Sequence, residues 1–156
     1  MKKMLIAVDD SLSAMKAVDY VAQQFSCSGL QIGLVHVLPN LPAIFWDEGH
    51  ILSEDEKRDR KKVVDKWLAA QRSKMEPLLL QARETLVAQG VSSGRVETKF
   101  ISDSTDVADS ILEEARDGSY ETVVVGRSHH SPKNVLGTVA GRIATQGAGL
   151  AVMIVE

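Results

Sequence analysis

Five short apolar runs, each stopped by polar or helix-starting residues, restrict what this chain can become. They are Met4–Val8, Ile32–Leu38, Val96–Ile101, Thr122–Val125 and Ala151–Val155. Short runs that are apolar at nearly every position fit strands covered on both faces; Val96–Ile101 alternates loosely and reads as a less buried one. Between the runs, apolar residues recur at helical spacing. Ala14, Ala17, Val18, Val21, Ala22 and Phe25 do so in the first interval, and Val107, Ala108, Ile111, Leu112 and Ala115 in the third. This alternation, with no internal repeat, predicts an α/β fold: a five-stranded parallel open sheet with helices on both faces. Ligands of such sheets bind beyond the carboxyl ends of the strands, where the strand order reverses. Those ends carry Asp9, Asp10 and Ser11 after the first strand, Val37 and Leu38 at the second, and Gly126 to His130 after the fourth.

The boundaries of the elements have their own signals. Asp9-Asp-Ser-Leu-Ser13 offers several oxygens to cap the first helix, Cys27-Ser-Gly29 breaks it, and Pro39 ends the second strand. Ser53 with Glu56 three residues later has the form of a capping box, so a long helix should run from there to about Gln89. Its apolar stripe is Val64, Trp67, Leu68, Met75, Leu78, Leu79, Ala82 and Leu86, and Pro77 inside it predicts a kink or a break. Asp103–Asp106 offers a cap to the next helix, which Gly118 ends; the last helix should begin near Asn134–Gly137 and end near Gly147. Between Pro39 and Ser53 lies a loop rich in large apolar groups, Ile44, Phe45, Trp46, Ile51 and Leu52. It reads either as local packing on the rim or as a cover for a pocket or a partner contact.

Charge and cysteine usage narrow the function classes. Eighteen Lys and Arg stand against 21 Asp and Glu, a net charge of −3, which gives no broad basic field for nucleic acid. The run Glu54–Lys62 mixes both signs and reads as a solvated helix face. A lone Cys27 excludes a disulfide framework or a cysteine-based zinc cluster within one chain, and it reads as a buried or bystander thiol. The amino terminus starts like a signal peptide, but its apolar run, Met4 to Val8, stops at two aspartates. No stretch approaches the roughly 20 apolar residues of a membrane helix. The expectation is a cytoplasmic protein of one domain, residues 1–156, without nucleic-acid or membrane partners.

The final third carries the chemistry. Thr122-Val-Val-Val-Gly126 leads into Arg-Ser-His-His-Ser-Pro-Lys and then Asn134-Val-Leu-Gly137-Thr138. A glycine at a strand end lets an anion approach bare backbone, and a Gly-Thr pair at a helix start aims free N–H groups at it. Arg127, His129, His130 and Lys133 add side chains that could hold an anion. The histidine pair reads equally as a solvent-facing loop; no carboxylate at helical spacing completes a metal set, so no metal ligands are expected.

These residues, in this order, resemble the universal stress protein family over essentially the whole chain. Lys3-Met-Leu-Ile-Ala-Val-Asp9-Asp-Ser11 looks like its opening strand and aspartate, and Leu34-Val-His-Val37 like its second strand. Thr122–Gly126 and Leu136-Gly-Thr-Val139 look like the two halves of its C-terminal signature. The resemblance implies the strand order 3-2-1-4-5, homodimers commonly formed through the last strand, and an unidentified regulatory protein partner in a stress response. It also implies a division between members that bind ATP and members that do not. Asp9 matches the aspartate that contacts the nucleotide, through ribose or by helping to hold magnesium; it reads otherwise as a helix cap. Val37 matches a backbone contact to adenine, and it is equally a plain strand residue. Gly126 matches the first signature glycine, His129 stands at the second, and Gly137 with Thr138 matches the last Gly-Ser/Thr pair. Thr138 would also be a sensible helix start without any ligand. Ten residues separate Gly126 from Gly137, where the signature places twelve. One glycine is thus missing, and the loop gives up as much as roughly 7 Å of reach.

No catalytic set is evident: there is no Gly-x-Ser-x-Gly elbow, no Walker lysine motif and no Gly-x-Gly-x-x-Gly after the first strand. Ser128 beside His129 does not make a positioned base. The resemblance implies at most slow ATP hydrolysis. Two readings follow. One is a dimeric stress-response regulator that acts through protein interactions and keeps a degenerate nucleotide pocket. The other is an adenine-nucleotide sensor or slow ATPase that takes ATP with magnesium.

Overall fold

The structure, a computed structural model, describes residues 2–27, 29–39, 41, 52–127 and 138–156. The five apolar runs form β1 (Lys3–Ala7), β2 (Gln31–Val37), β3 (Val96–Ile101), β4 (Thr122–Gly126) and β5 (Ala151–Val155). Between them lie α1 (Leu12–Phe25), α2 (Glu54–Ala88), α3 (Val107–Asp117) and α4 (Thr138–Gln146). All strand pairs are parallel, in the order β3-β2-β1-β4-β5 that the resemblance implied.

Alternate residues of the central strands feed two cores. Met4, Ile6, Ile32, Leu34 and Val124 pack against α1 and α2, through Ala17, Val18, Val21, Leu79, Ala82 and Leu86. Leu5, Val35, Val37, Val123 and Val125 pack against α3 and α4, through Ala108, Ile111, Leu112, Ala140 and Ile143. Each Val, Leu, Ile or Met side chain among them contributes about 1.5–3 kcal/mol by leaving water. This explains why β1 and β4 read as unbroken apolar runs. By contrast β3, an edge strand, leaves Glu97, Thr98 and Lys99 exposed.

The helices start where the sequence offers oxygens. Ser11 Oγ accepts from the Ala14 N–H at 3.1 Å, Ser53 Oγ from the Glu56 N–H at 3.2 Å, and Asp106 Oδ1 from the Asp109 N–H at 2.9 Å. Each cap is worth about 1 kcal/mol. The mixed-charge run at the start of α2 is a solvated face, with Lys57–Glu54 and Arg58–Asp55 pairs at 3.7 and 3.8 Å between exposed side chains.

Three expectations change. α2 runs unbroken through Pro77, so of the expected kink or break the break does not occur. Met75 and Leu79, on either side of this exposed proline, are both buried and hold the backbone helical despite the missing N–H bond. The predicted stripe is buried only at Met75, Leu79, Ala82 and Leu86; Val64, Trp67, Leu68 and Leu78 are half-buried. Cys27 is exposed, which removes the buried-thiol alternative. The expected loop residues Ile44, Phe45, Trp46 and Ile51, and the expected helix start at Asn134–Gly137, lie outside the described residues. Among the described residues no helix is long and apolar enough to cross a membrane.

Because Pro77 is exposed and its helix is continuous, Pro77→Ala restores a backbone donor and should raise the unfolding free energy by about 1–3 kcal/mol. Urea titration checks this; a loss of stability would mean that the proline ring itself holds the helix in place.

Candidate functional site

The strand order reverses at β1, whose neighbours β2 and β4 are reached by connections in opposite directions along the sheet. Beyond the carboxyl ends of these strands lies a cleft of about 480 Å³, within the size range of small-molecule sites. β1 contributes Ala7 with Val8 and Asp9 beyond it, β2 contributes Val35 to Val37, and β4 contributes Val125 and Gly126. Val107 and Ile111 of α3 and Thr138 to Ala140 of α4 complete the walls.

Four of the six residues singled out from the sequence, Asp9, Val37, Gly126 and Thr138, therefore line one cleft. The other two, His129 and Gly137, lie outside the described residues, as do His130 and Lys133. Asp9 is exposed, and its Oδ1 accepts the Ser11 N–H at 2.8 Å. That is an Asx turn, one step ahead of the cap that Ser11 itself provides. The helix cap expected as the alternative for Asp9 is made by Ser11, and this Asp9 oxygen forms the turn before it.

Gly126 has a reason to be glycine that involves no ligand. A Cβ there would meet the Ser13 carbonyl carbon at 2.5 Å and the Ala14 nitrogen at 2.6 Å, because the first turn of α1 packs directly on the end of β4. The amino end of α1 and the first described turn of α4 thus both border the cleft, through Ala14 and Thr138. Helix amino ends favour anions.

The neighbouring charges are organised in pairs. The Arg127 guanidinium, read from the sequence as a possible anion holder, ion-pairs with Glu156 beyond β5. Arg142, one turn after Thr138 on α4, donates to Asp106 Oδ2 and, at 3.2 Å, to Asp109 Oδ1. The Asp109 amide, and after it the Arg142 guanidinium, hold the Asp106 carboxyl below its ordinary range, although burial opposes them. This latch ties the amino end of α3 to α4. Sequence reasoning found Asp106 as a cap but not its partner, which lies 36 residues away.

His36 was also missed as a residue of interest. It lines the cleft, and its Nδ1 donates to the Val8 carbonyl at 2.7 Å. Among the described residues no group of three or more His, Cys, Asp or Glu side chains is arranged to hold a metal ion.

The family model for universal stress proteins matches residues 1–155. The chain belongs to the universal stress protein family. No curated protein matches it. Among solved structures, a universal stress protein family member from Burkholderia pseudomallei superposes with a TM-score of 0.69 at 19% identity, covering 99% of this chain and 95% of that one. The Archaeoglobus fulgidus universal stress protein in complex with dAMP gives 0.61 at 17% identity, over 100% and 98%. A family protein from Arabidopsis thaliana with AMP bound gives 0.62 at 18%, over 99% and 91%. At these identities the likeness establishes the fold.

For this universal stress protein, the packing of α1 on Gly126 makes a prediction that needs no nucleotide. Gly126→Ala should lower the stability of the free protein by about 1–3 kcal/mol, the usual result of overpacking. Thermal denaturation measures it; unchanged stability would mean that the glycine serves only a ligand.

Proposed function

We propose that this universal stress protein is a dimeric stress-response regulator that binds an adenine nucleotide in the cleft beyond β1, β2 and β4. The observation that carries this reading is the convergence of Asp9, Val37, Gly126 and Thr138, from the turn after β1 and three separate elements, on one cleft. Three of them each fit one part of the ligand, and Gly126 lets α1 close on the end of β4 beside it. The Val37 backbone offers hydrogen-bonding groups to an adenine edge, and the free oxygen of Asp9 accepts from ribose hydroxyls. The amino end of α4, with the Thr138 hydroxyl, takes phosphate. The apolar walls, Val107 and Ile111 among them, suit a flat base. Family members of this fold hold dAMP and AMP, which supports the ligand class. Magnesium, when a triphosphate is bound, would be held by the phosphates with help from Asp9.

Calorimetric titration with AMP and with ATP-magnesium, after checking for carried-over nucleotide, tests the reading. Asp9→Ala and Thr138→Val should each weaken binding by roughly tenfold or more, since each removes a hydrogen bond to a polar or charged ligand group. The second reading, a regulator whose pocket is vestigial, is favoured by His129 in place of glycine and by the loop two residues short of the signature. An absence of both heat and carried-over nucleotide would decide for it.

The two sheet edges differ in a way that supports dimerisation through β5. β3 guards its edge with Glu97 and Lys99, whereas β5 is the uncharged Ala151–Val155. An open apolar edge invites another strand. The Ala151 N–H donates to the Glu121 carbonyl, on the β4 side, so the alternating N–H groups of Val152 and Ile154 face outward. Val152→Pro should therefore leave the β4 pairing intact and convert dimer to monomer in light scattering. A dimer that survives this change uses another surface.

A further inference from the structure

We propose that His36 is the positioning residue of the cleft, its ring holding the end of β1 so that Asp9 and Val37 face a single ligand. The proposal rests on the adenine-nucleotide reading above.

Val8 is the residue immediately before Asp9, and only 2% of it is exposed. It lies just past β1. Its N–H donates to the Val35 carbonyl at 2.8 Å, so one side of the peptide is tied to β2. Its carbonyl points to β2 as well, beyond the last β1–β2 register pair, Ala7 with Val35, where the ladder stops. The donor this carbonyl receives is His36 Nδ1, at 2.7 Å and across 28 residues of sequence. A carbonyl can only accept, so the ring carries its proton on Nδ1.

The ring itself is held from behind. It meets Phe100 of β3 edge-on, with centroids 6.1 Å apart and planes at 84°. The guanidinium of Arg72, on α2, covers Phe100 at 5.1 Å from the ring centre. The chain from α2 through Phe100 to His36 thus ends on the Val8 carbonyl, and that carbonyl's carbon is bonded to the Asp9 nitrogen. His36 is also bonded directly to Val37. One imidazole consequently sets the two peptide units that place the aspartate and the adenine-facing backbone. A fixed ring needs no reorganisation when the ligand arrives, and such pre-ordering raises affinity.

The test separates a donor from a filler. His36→Phe keeps an aromatic ring and removes the donor, whereas His36→Asn places an amide N–H close to the position of Nδ1. AMP affinity by calorimetry should fall about tenfold or more in His36→Phe and stay within about threefold of wild type in His36→Asn, the scale of one hydrogen bond. Equal affinity of wild type and His36→Phe would overturn the positioning role while leaving the nucleotide reading intact. A wild-type protein that does not bind AMP would overturn that reading and this inference with it. A measurement on the wild type guards against a variant that fails to fold. Long-range ¹H–¹⁵N spectra should show His36 as the Nδ1–H form, and an Nε2–H form would remove the donor and the proposal.

Discussion

Ile6 has no exposure to solvent, and Leu5 and Met4 on the same strand serve opposite cores. β1 is thus buried on both faces and hydrogen-bonded on both edges, by β2 and β4. A strand so placed cannot be adjusted without disturbing two helix layers and two ladders, and interiors packed at this density do not deform gradually. Its carboxyl end is where the sheet opens, because the chain leaves β1 toward β2 and later returns on the other side to form β4. The cleft is a consequence of that topology, and its walls inherit the rigidity of the strand.

What surrounds the cleft is a set of short-range devices that fix its rim. Asp9 turns the chain through the Ser11 amide, and Ser11 caps α1. α1 then packs so closely on Gly126 that no side chain fits there. On the opposite face the Asp106–Arg142 latch joins α3 to α4 at the same end of the sheet. Arg116 repeats the connection further along, donating to the Gln146 carbonyl at 3.1 Å. None of these contacts needs a ligand, so the described part of the rim is built by folding alone, and a ligand would find Asp9, Val37 and Thr138 already placed.

The sequence disclosed these parts unevenly, for physical reasons. β3 and β5 match their predicted limits because turn and helix signals bound their apolar runs, and the caps at Ser11, Ser53 and Asp106 use short side chains acting within three residues. Local chemistry is legible from a string of letters. Pro77 allows a break by local rules, but the burial of Met75 and Leu79, a tertiary effect, keeps the helix continuous. Arg127 looked available until the pairing of β4 with β5 brought Glu156 beside it. His36 reads as one more strand residue until the sheet sets it against Val8, and Gly126 suggested a phosphate contact before its packing against α1 was visible. The family resemblance supplied the positions to inspect; the three-dimensional contacts supplied reasons for them that the signature alone does not contain.

In the proposed function the cleft at the end of β1 takes the nucleotide. The most direct measurement is an NMR titration of ¹⁵N-labelled protein with AMP, following each backbone amide. Saturable shifts are expected at Asp9, Val37, Gly126 and Thr138 to Ala140, with the exposed residues of β3 unmoved. Saturable shifts centred elsewhere, or none at millimolar AMP, would contradict the proposed function.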